Sequence, residues 1–150
     1  MRTEEFGPYL ELLSVEYAND HVRDGQWTAA EAPRKAREQI DRILPRGLDS
    51  PDQYFRSIVA DPTGKVVGRI WYAVRRDEGP PHLFIFDLLV FESERGHGYG
   101  EAALRALEPI ARELGVGRIG LHVFGHNASA IRLYERIGYR ATNLLMSKTV

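Results

Sequence analysis

Three alternating glycines separate an apolar stretch from an amphipathic stretch in the second half of this chain. Residues 95–100 read Arg-Gly-His-Gly-Tyr-Gly; residues 84–91 before them are strand-like, and a helical pattern after them ends near Leu114. This order directs backbone N–H groups and the positive end of a helix at one place, which is a geometry that binds phosphate. Arg95 adds a fixed cation with a forked set of donors. The segment therefore predicts a site for a phosphorylated cofactor.

The spacing of this loop differs from that of two familiar phosphate loops. A P-loop has Lys-Ser or Lys-Thr after its last glycine, whereas Glu101 and Ala102 follow here. A dinucleotide-binding loop has the spacing G-x-G-x-x-G, whereas this run has G-x-G-x-G. A tight turn that only joins the strand to the helix is the structural alternative, and the preceding Arg95 favours the phosphate site.

Length and charge narrow the class of protein. The 150 residues suffice for one domain with its own core, so we expect a single domain over residues 1–150. Lys and Arg total 20 against 21 Asp and Glu, and this balance argues against nucleic acid as a partner. No apolar run approaches the ~20 residues of a membrane span, and no apolar signal region opens the chain, so we expect no membrane partner and a cytoplasmic location.

The chain has no cysteine, and this absence excludes disulfides, thiolate metal sites and cysteine nucleophiles. The histidines of the second half show no ligand spacing and no acidic cluster beside them, so we expect no metal site.

Hydrophobic periodicity predicts two helices, an antiparallel hairpin, and then alternating strands and helices. The predicted helices are residues 4–24, 28–44, the stretch from the glycine turn to Leu114, and 127–137; the predicted strands are 54–60, 65–75, 84–91, 118–124 and 144–148. Such an order indicates an α/β domain with a mixed sheet.

A second pattern lies on the short helix predicted near the C-terminus. Asn127 stands at its cap, Ala130 and Tyr134 share one face, and Gly138-Tyr139 follow. Taken alone, the pattern is weak, because an asparagine at this place is more often only a helix cap and a tyrosine more often a core aromatic.

Together, the two patterns resemble the GNAT superfamily of acetyl-CoA-dependent N-acyltransferases. Residues 95–100 fit its loop Q/R-x-x-G-x-G/A, and residues 127–139 fit its stretch N-x-x-A-x-x-x-Y-x-x-x-G-F/Y. The resemblance covers the chain from about Phe84 onward. It implies a mixed central sheet flanked by helices, with two N-terminal helices and a splayed pair of parallel strands. The chain departs from the family in having almost no residues for a strand before its first helix.

The resemblance implies acetyl-CoA as the co-substrate and indicates the residues that bind it. The pyrophosphate would rest on the backbone amides of the glycine loop, and the pantetheine arm would pair with the preceding strand. A backbone N–H near Leu89 would polarise the thioester carbonyl. The binding residues so implied are Leu88, Leu89, Val90, Arg95, Gly96, His97, Gly98, Tyr99, Gly100, Asn127 and Tyr134.

The resemblance also indicates the catalytic groups. Tyr134 would be the general acid that gives a proton to the leaving thiolate, since a phenol with a pKa of ~10 is protonated at neutral pH. Asp87 is the candidate base or anchor of a water relay, and a capping or pairing role for it stays open. Many relatives carry Glu-Asp at this place, but Phe86 precedes Asp87 here. His122 is the other candidate base.

The resemblance therefore implies an N-acetyltransferase that acts on a primary amine. Because the chain has no cysteine and no G-x-S-x-G motif, we expect direct transfer in a ternary complex. The acceptor, a small molecule or a peptide, should bind between the two N-terminal helices and the splayed strand ends. Glu16, Asp20 and Asp24 recur four apart there, so they would attract a cationic amine or simply face water. A homodimer is compatible with the resemblance. The alternatives are a non-catalytic acyl-CoA-binding or sensing module and a plain nucleotide-phosphate binder.

Overall fold

The structure is a computed structural model that describes residues 1–77 and 79–150. It confirms the predicted α/β class with a mixed sheet. Its helices and strands, in chain order, are α1 (Thr3–Arg23), α2 (Ala32–Ile43), β1 (Gln53–Ala60), β2 (Lys65–Arg75), β3 (His82–Val90), α3 (Tyr99–Glu113), β4 (Ile119–Leu121) and α4 (Ala128–Arg136). Across the described residues, no helix is both long enough and apolar enough to cross a membrane.

The sheet has the strand order β1-β2-β3-β4. The first three strands are antiparallel neighbours, and β4 pairs with β3 in parallel. That parallel pairing covers only the three registers from Leu83–Ile119 to Ile85–Leu121. Beyond Ile85, β3 continues to Val90 with no pairing to β4 among the described residues. The predicted splayed pair of parallel strands is therefore confirmed.

Apolar side chains cover both faces of the sheet because successive strand residues point to opposite sides. On one face, α3 packs against a cluster that consists of Ile70, Tyr72, Val74, Leu83, Ile85, Leu104, Leu107, Ala111 and Val116. On the other face, α1 and α2 pack against the sheet through Tyr9, Leu10, Ile40, Leu44, Phe55 and Trp71. The two N-terminal helices thus lie on the face opposite to α3.

Three predicted elements are wrong in extent. α2 begins at Ala32 rather than at residue 28, because residues 28–31 form a turn in which the Thr28 N–H donates to Glu31 Oε1 at 3.2 Å, and Pro33 fits the first helical turn. β4 covers three residues instead of 118–124. Residues 144–148, predicted as a last strand, form none. β4 is the last strand of the sheet, where a strand has a neighbour on one side only.

Candidate active site

A cavity of about 380 Å³ lies between α1, α2 and the ends of β3 and β4 that separate from each other. This is the location predicted for the acceptor. The carboxyl groups on its wall belong to Glu16, Asp20 and Asp87, and Tyr134 and Asn127 reach it from α4 and its cap. Aromatic rings form much of the remaining wall; they belong to Tyr17, Trp71, Phe84, Phe86 and Phe124. The fold therefore brings the two predicted catalytic residues, Asp87 and Tyr134, to one cavity.

Asp87 lies in β3 and receives a hydrogen bond from α1. The Tyr9 O–H donates to Asp87 Oδ2 at 2.9 Å. Burial raises the pKa of Asp87 to about 6, the hydrogen bond from Tyr9 acts in the opposite direction, and the charge of Glu16 raises the pKa further. The carboxyl group thus stays ionised at neutral pH while having a stronger affinity for a proton than an exposed aspartate has.

Tyr134 occupies the middle of α4 and is partly buried. Burial, and after it the charge of Asp87, raise the pKa of Tyr134 above its usual value of 10. The phenol therefore keeps its proton at neutral pH, as a group that donates a proton must. The Tyr139 ring lies 5.7 Å from that of Tyr134, and a backbone hydrogen bond from the Tyr139 N–H to the Tyr134 carbonyl closes the end of α4.

The glycine loop forms an exposed turn directly before α3. Gly96 and Gly98 have φ of +79° and +80°, a region that favours glycine, and Gly98 is the N-cap of α3. Apart from the chain neighbours, no heavy atom of the described residues lies within 4 Å of a Cβ built at either glycine, so the surface of the loop is open. An open loop at the positive end of a helix of 15 residues fits a pyrophosphate group.

The strand before the loop fits the predicted pairing with pantetheine. Residues Leu88 and Leu89 belong to the part of β3 that has no β4 partner among the described residues. The edge of β3 that faces the gap is therefore open there. The carbonyl of Val90 is already engaged, since Arg95 Nε donates to it at 3.2 Å. This bond ties the loop arginine to the strand and leaves the exposed remainder of the guanidinium available to a phosphate.

The remaining predicted cofactor residues lie around the loop and the cap of α4. The Nδ1–H of His97 donates to the carbonyl of Glu94 at 3.0 Å, and its ring stacks on Tyr99 at 5.9 Å. Gly100 is in the first turn of α3. Asn127 accepts from the Ala130 N–H through its side chain at 3.2 Å. Asn127 is therefore a helix cap and part of the cavity wall at once.

Of the acidic residues that recur four apart on α1 and just after it, two face the cavity and one faces the solvent. Glu16 and Asp20 line the cavity, whereas Asp24 is exposed and accepts from Gln26. Asp20 Oδ1 lies 3.2 Å from His126 Nε2. Burial and then the charge of Asp20 raise the pKa of Glu16, with Arg95 acting in the opposite direction.

The alternative base and the two tryptophans considered for the acceptor pocket lie in different parts of the structure. His122, the alternative base, is exposed and follows the end of β4 on the cavity wall. Trp71 is 2% exposed and contributes both to the core and to the cavity. Trp27 stacks on His21 at 3.9 Å and packs against α1.

Sequence reasoning missed Tyr9 as a functional residue. It is 1% exposed and lies 78 positions before the carboxylate that it contacts. Its only local signal is a place on the apolar face of α1, which predicts core packing and gives no hint of a polar partner in β3.

Comparison with known proteins identifies relatives over nearly the whole chain. The model of the acetyltransferase (GNAT) family matches residues 16–139. The N-acetyltransferase YycN of Bacillus subtilis (strain 168) is 36% identical over 148 residues, which are 99% of this chain and 94% of YycN. A mycothiol acetyltransferase of Propionibacterium freudenreichii is 33% identical over 132 residues, which are 86% of this chain but 39% of that protein.

Solved structures agree with the sequence relatives. The crystal structure of YycN has a TM-score of 0.92 and 35% identity, and the match covers 100% of this chain and 95% of that one. The aminoglycoside N-acetyltransferase AAC(6')-Iy, solved in complex with CoA, has a TM-score of 0.56 and 18% identity over 78% of this chain and 87% of that one. At that identity the likeness concerns the fold alone.

Proposed function

Because the chain belongs to the GNAT acetyltransferase family, we propose that this acetyltransferase moves an acetyl group from acetyl-CoA directly to a primary amine in a ternary complex. The observation that carries the proposal is the position of Asp87 and Tyr134 on the wall of one cavity where β3 and β4 separate. A base that accepts the amine proton and an acid that protonates the leaving sulfur both assist amine acylation.

Acetyl-CoA supplies the activated acetyl group, and the chain supplies its binding surface. The open amides of Gly96 and Gly98 and the N-terminus of α3 would hold the pyrophosphate, with Arg95 beside them. The unpaired stretch of β3 at Leu88 and Leu89 would align the pantetheine arm. This arrangement supports a thioester carbonyl near Asp87 and Tyr134.

Proton transfers determine the roles of the two catalytic residues. An amine attacks only as the neutral form, so Asp87 would accept a proton from the incoming ammonium, directly or through water. Its pKa of about 6 makes it a better proton acceptor than an ordinary aspartate. As the bond between carbon and sulfur breaks, Tyr134 would give its phenolic proton to the sulfur. The proton that the newly acylated nitrogen then loses would return the Tyr134 phenolate to the phenol. His122 stays the alternative acceptor on the same wall.

The charge on the cavity wall favours a cationic acceptor. Glu16 and Asp20 lie on adjacent turns of α1 and face the same space as Asp87. Asp20 Oδ1 lies 3.2 Å from His126 Nε2. Among the described residues Glu16 has no ion pair, and the charge of Arg95 lowers its pKa against the effect of burial. A small amine or peptide with a second positive charge would therefore be preferred over an anionic one.

The experiment that tests this function measures free thiol after acetyl-CoA is mixed with a panel of cationic, neutral and anionic amines. The chain has no cysteine, so the enzyme adds no thiol background. We expect amine-dependent thiol release by the wild type. Replacing Tyr134→Phe should lower kcat by about 10²–10⁴-fold, the usual contribution of a general acid, while the Kd for acetyl-CoA stays within a few-fold.

Tyr54→Phe is the matched control, since Tyr54 stacks on Tyr72 in the sheet and is not among the cavity-lining residues. It should keep wild-type turnover. Thermal unfolding with acetyl-CoA or ATP separates the alternatives, because a ligand at ~100 times its Kd stabilises by ~2.7 kcal/mol. Stabilisation by acetyl-CoA without thiol release for any amine would indicate a non-catalytic acyl-CoA-binding module. Stabilisation by ATP alone would indicate a nucleotide binder.

A further inference from the structure

A second cavity, of about 490 Å³, adjoins the cavity that has Asp87 and Tyr134 on its wall. Its own wall comes from the end of α2 and from residues around the start of β1 and the end of β2. The two cavities have Ile43, Arg75 and Phe86 in common as lining residues. They therefore form one trough along the sheet, and the proposed proton transfers give its far part no role.

Aromatic rings form the floor of this trough. Trp71 stacks on Phe86 with ring centroids 4.5 Å apart, and Phe84 contacts Phe86 edge-to-face at 4.9 Å. The Arg75 guanidinium lies over the Phe84 ring, 5.3 Å from its centroid. Trp71 is opposite Asp87 in the sheet, and Arg75 follows four residues later along β2. At ~3.4 Å per residue, the trough extends roughly 14 Å from the level of Asp87 to that of Arg75.

The far end of the trough differs in charge from its acidic catalytic end. The described charged residues on the far wall are three arginines and two aspartates, namely Arg42, Arg75, Arg76, Asp52 and Asp77. Arg75 Nη2 lies 2.7 Å from Asp77 Oδ2. Arg76 Nε lies 4.0 Å from Asp52 Oδ2. Within the described residues Arg42 makes no hydrogen bond or ion pair. The excess of positive charge suits an anionic group.

Two glutamine side chains on the trough have donors that the fold does not use. Gln39 Oε1 on α2 accepts from the Tyr17 O–H at 2.6 Å, and Gln53 Oε1 on β1 accepts from the Trp71 Nε1–H at 2.6 Å. An indole N–H only donates, so the amide oxygen of Gln53 faces it and the NH₂ group points elsewhere. Within the described residues neither NH₂ group donates a hydrogen bond. Both groups suit the carbonyl oxygens that recur along an extended peptide.

We propose that the trough binds a peptide acceptor whose α-amine lies at Asp87 and whose fourth residue places a carboxylate at the arginines. An extended chain spans ~3.3–3.6 Å per residue, so four residues cover roughly 14 Å. The peptide carbonyls would accept from the glutamine NH₂ groups, and its side chains would lie on the aromatic floor. This inference rests on the proposed function, which identifies the end where the amine reacts.

The position of the anionic group, rather than the net charge of the peptide, is what the trough selects. Glu16, Asp20 and Asp87 would repel a carboxylate beside the reacting amine, so the preference for positive charge applies at that end. A carboxylate at the fourth residue lies beyond them and meets the arginines instead.

The test compares three hexapeptide amides with a free α-amine. They have aspartate at the fourth position, lysine at the fourth position, or aspartate at the second position, with alanine elsewhere. Steady-state kinetics with acetyl-CoA give kcat/KM, and calorimetric titration gives Kd without turnover. We expect the wild type to bind and acetylate the first peptide about 10–100-fold better than the other two, the usual effect of a hydrogen bond to a charged group.

The double variant Arg42→Glu, Arg76→Glu should lose this preference and favour the lysine peptide. Arg112→Glu, Arg118→Glu is the matched control, since both of its arginines line neither cavity. It changes the net charge by the same amount and should keep the wild-type preference. All four positions are exposed, so thermal unfolding should show that both variants are folded.

The outcomes separate this inference from the proposed function. Acetylation of amines with no preference for aspartate at the fourth position over the second would overturn the inference and leave the proposed function intact. A preference that persists in the double variant would also overturn it. Tighter binding of the first peptide that the double variant abolishes, without acetylation of any amine, would support the trough as a peptide site and refute the proposed function.

Discussion

At the residue scale, the proton affinity of Asp87 depends on its burial and on two side chains of α1. Burial raises its pKa to about 6, and the charge of Glu16 acts in the same direction. The hydrogen bond from Tyr9 stabilises the carboxylate and limits that rise. If Asp87 is the base, the reaction should become faster as the pH rises through about 6, and Tyr9 would be a positioning residue that sets this pH.

Replacing Tyr9→Phe should shift the acid limb of kcat/KM to higher pH. The ring stays in the core, but the carboxylate loses a hydrogen bond worth about 1.5–3 kcal/mol, which corresponds to an increase of roughly one to two pKa units. The pH dependence of kcat/KM for the variant and the wild type checks this, with Tyr54→Phe as the control. A lower rate with an unmoved acid limb would mean that Tyr9 has only a structural role.

At the element scale, the close approach of β2 to β3 decides where the strand that bears Asp87 lies. Gly68 in β2 is opposite Val90. A Cβ at this position would collide with the carbonyl oxygen of Leu89 and come within 3.1 Å of the Ile58 side chain. The glycine is therefore required by space rather than by backbone conformation, and it lies beside the β3 residues proposed to align pantetheine.

Gly68→Ala should destabilise the protein by about 1–3 kcal/mol and weaken acetyl-CoA binding, because the added methyl group displaces β3 at Leu89. Gly7→Ala in α1 is the control, since no heavy atom of the described residues, apart from the chain neighbours and the nearby backbone of α1, lies within 4 Å of a Cβ built there. That change should stabilise the helix by roughly 0.5–1 kcal/mol. Urea denaturation gives both values, and a Gly68→Ala variant as stable as the wild type would refute the steric argument.

At the scale of the whole molecule, a buried carboxyl group with a raised pKa costs stability. The folded chain holds the Asp87 proton up to about pH 6, whereas the ordinary pKa of the group is 3.8. Between these values the folded state binds more protons than the unfolded state, so stability decreases as the pH rises. Above pH 6 the buried carboxylate is charged and destabilises the folded state by its full amount. A catalytic role would explain why the chain has an aspartate at this position.

Asp87→Asn should make the protein more stable, compared with the wild type, at neutral pH than at acid pH. The acetyl-transfer rate of the variant should fall. Asparagine has no charge to desolvate, and its oxygen still accepts from the Tyr9 O–H. The difference in unfolding free energy between variant and wild type should therefore increase by up to ~3 kcal/mol from pH 4 to pH 7. Denaturation curves at a series of pH values measure it; a difference independent of pH would contradict a raised pKa for Asp87.

Most of the fold was predictable from local patterns. The α-helices of the described residues, the hairpin with its turn before Lys65, and the strand that precedes the glycine loop follow from periodicity and turn chemistry within short windows. The positions of Arg95, Asn127 and Tyr134 were predictable for the same reason, since each belongs to a motif whose residues lie within one loop or one helix.

Two features could be recognised only in the folded structure. The bond between Tyr9 and Asp87 joins residues 78 positions apart, so no local pattern contains it, and with it comes the balance of effects on the pKa of Asp87. Likewise, residues 144–148 have a strand pattern but no strand, because a strand forms only where a neighbour pairs with its backbone. Side-chain periodicity is a local property that the sequence shows directly. The partners of buried polar groups and of strand edges are distant in sequence, so only the tertiary structure determines them.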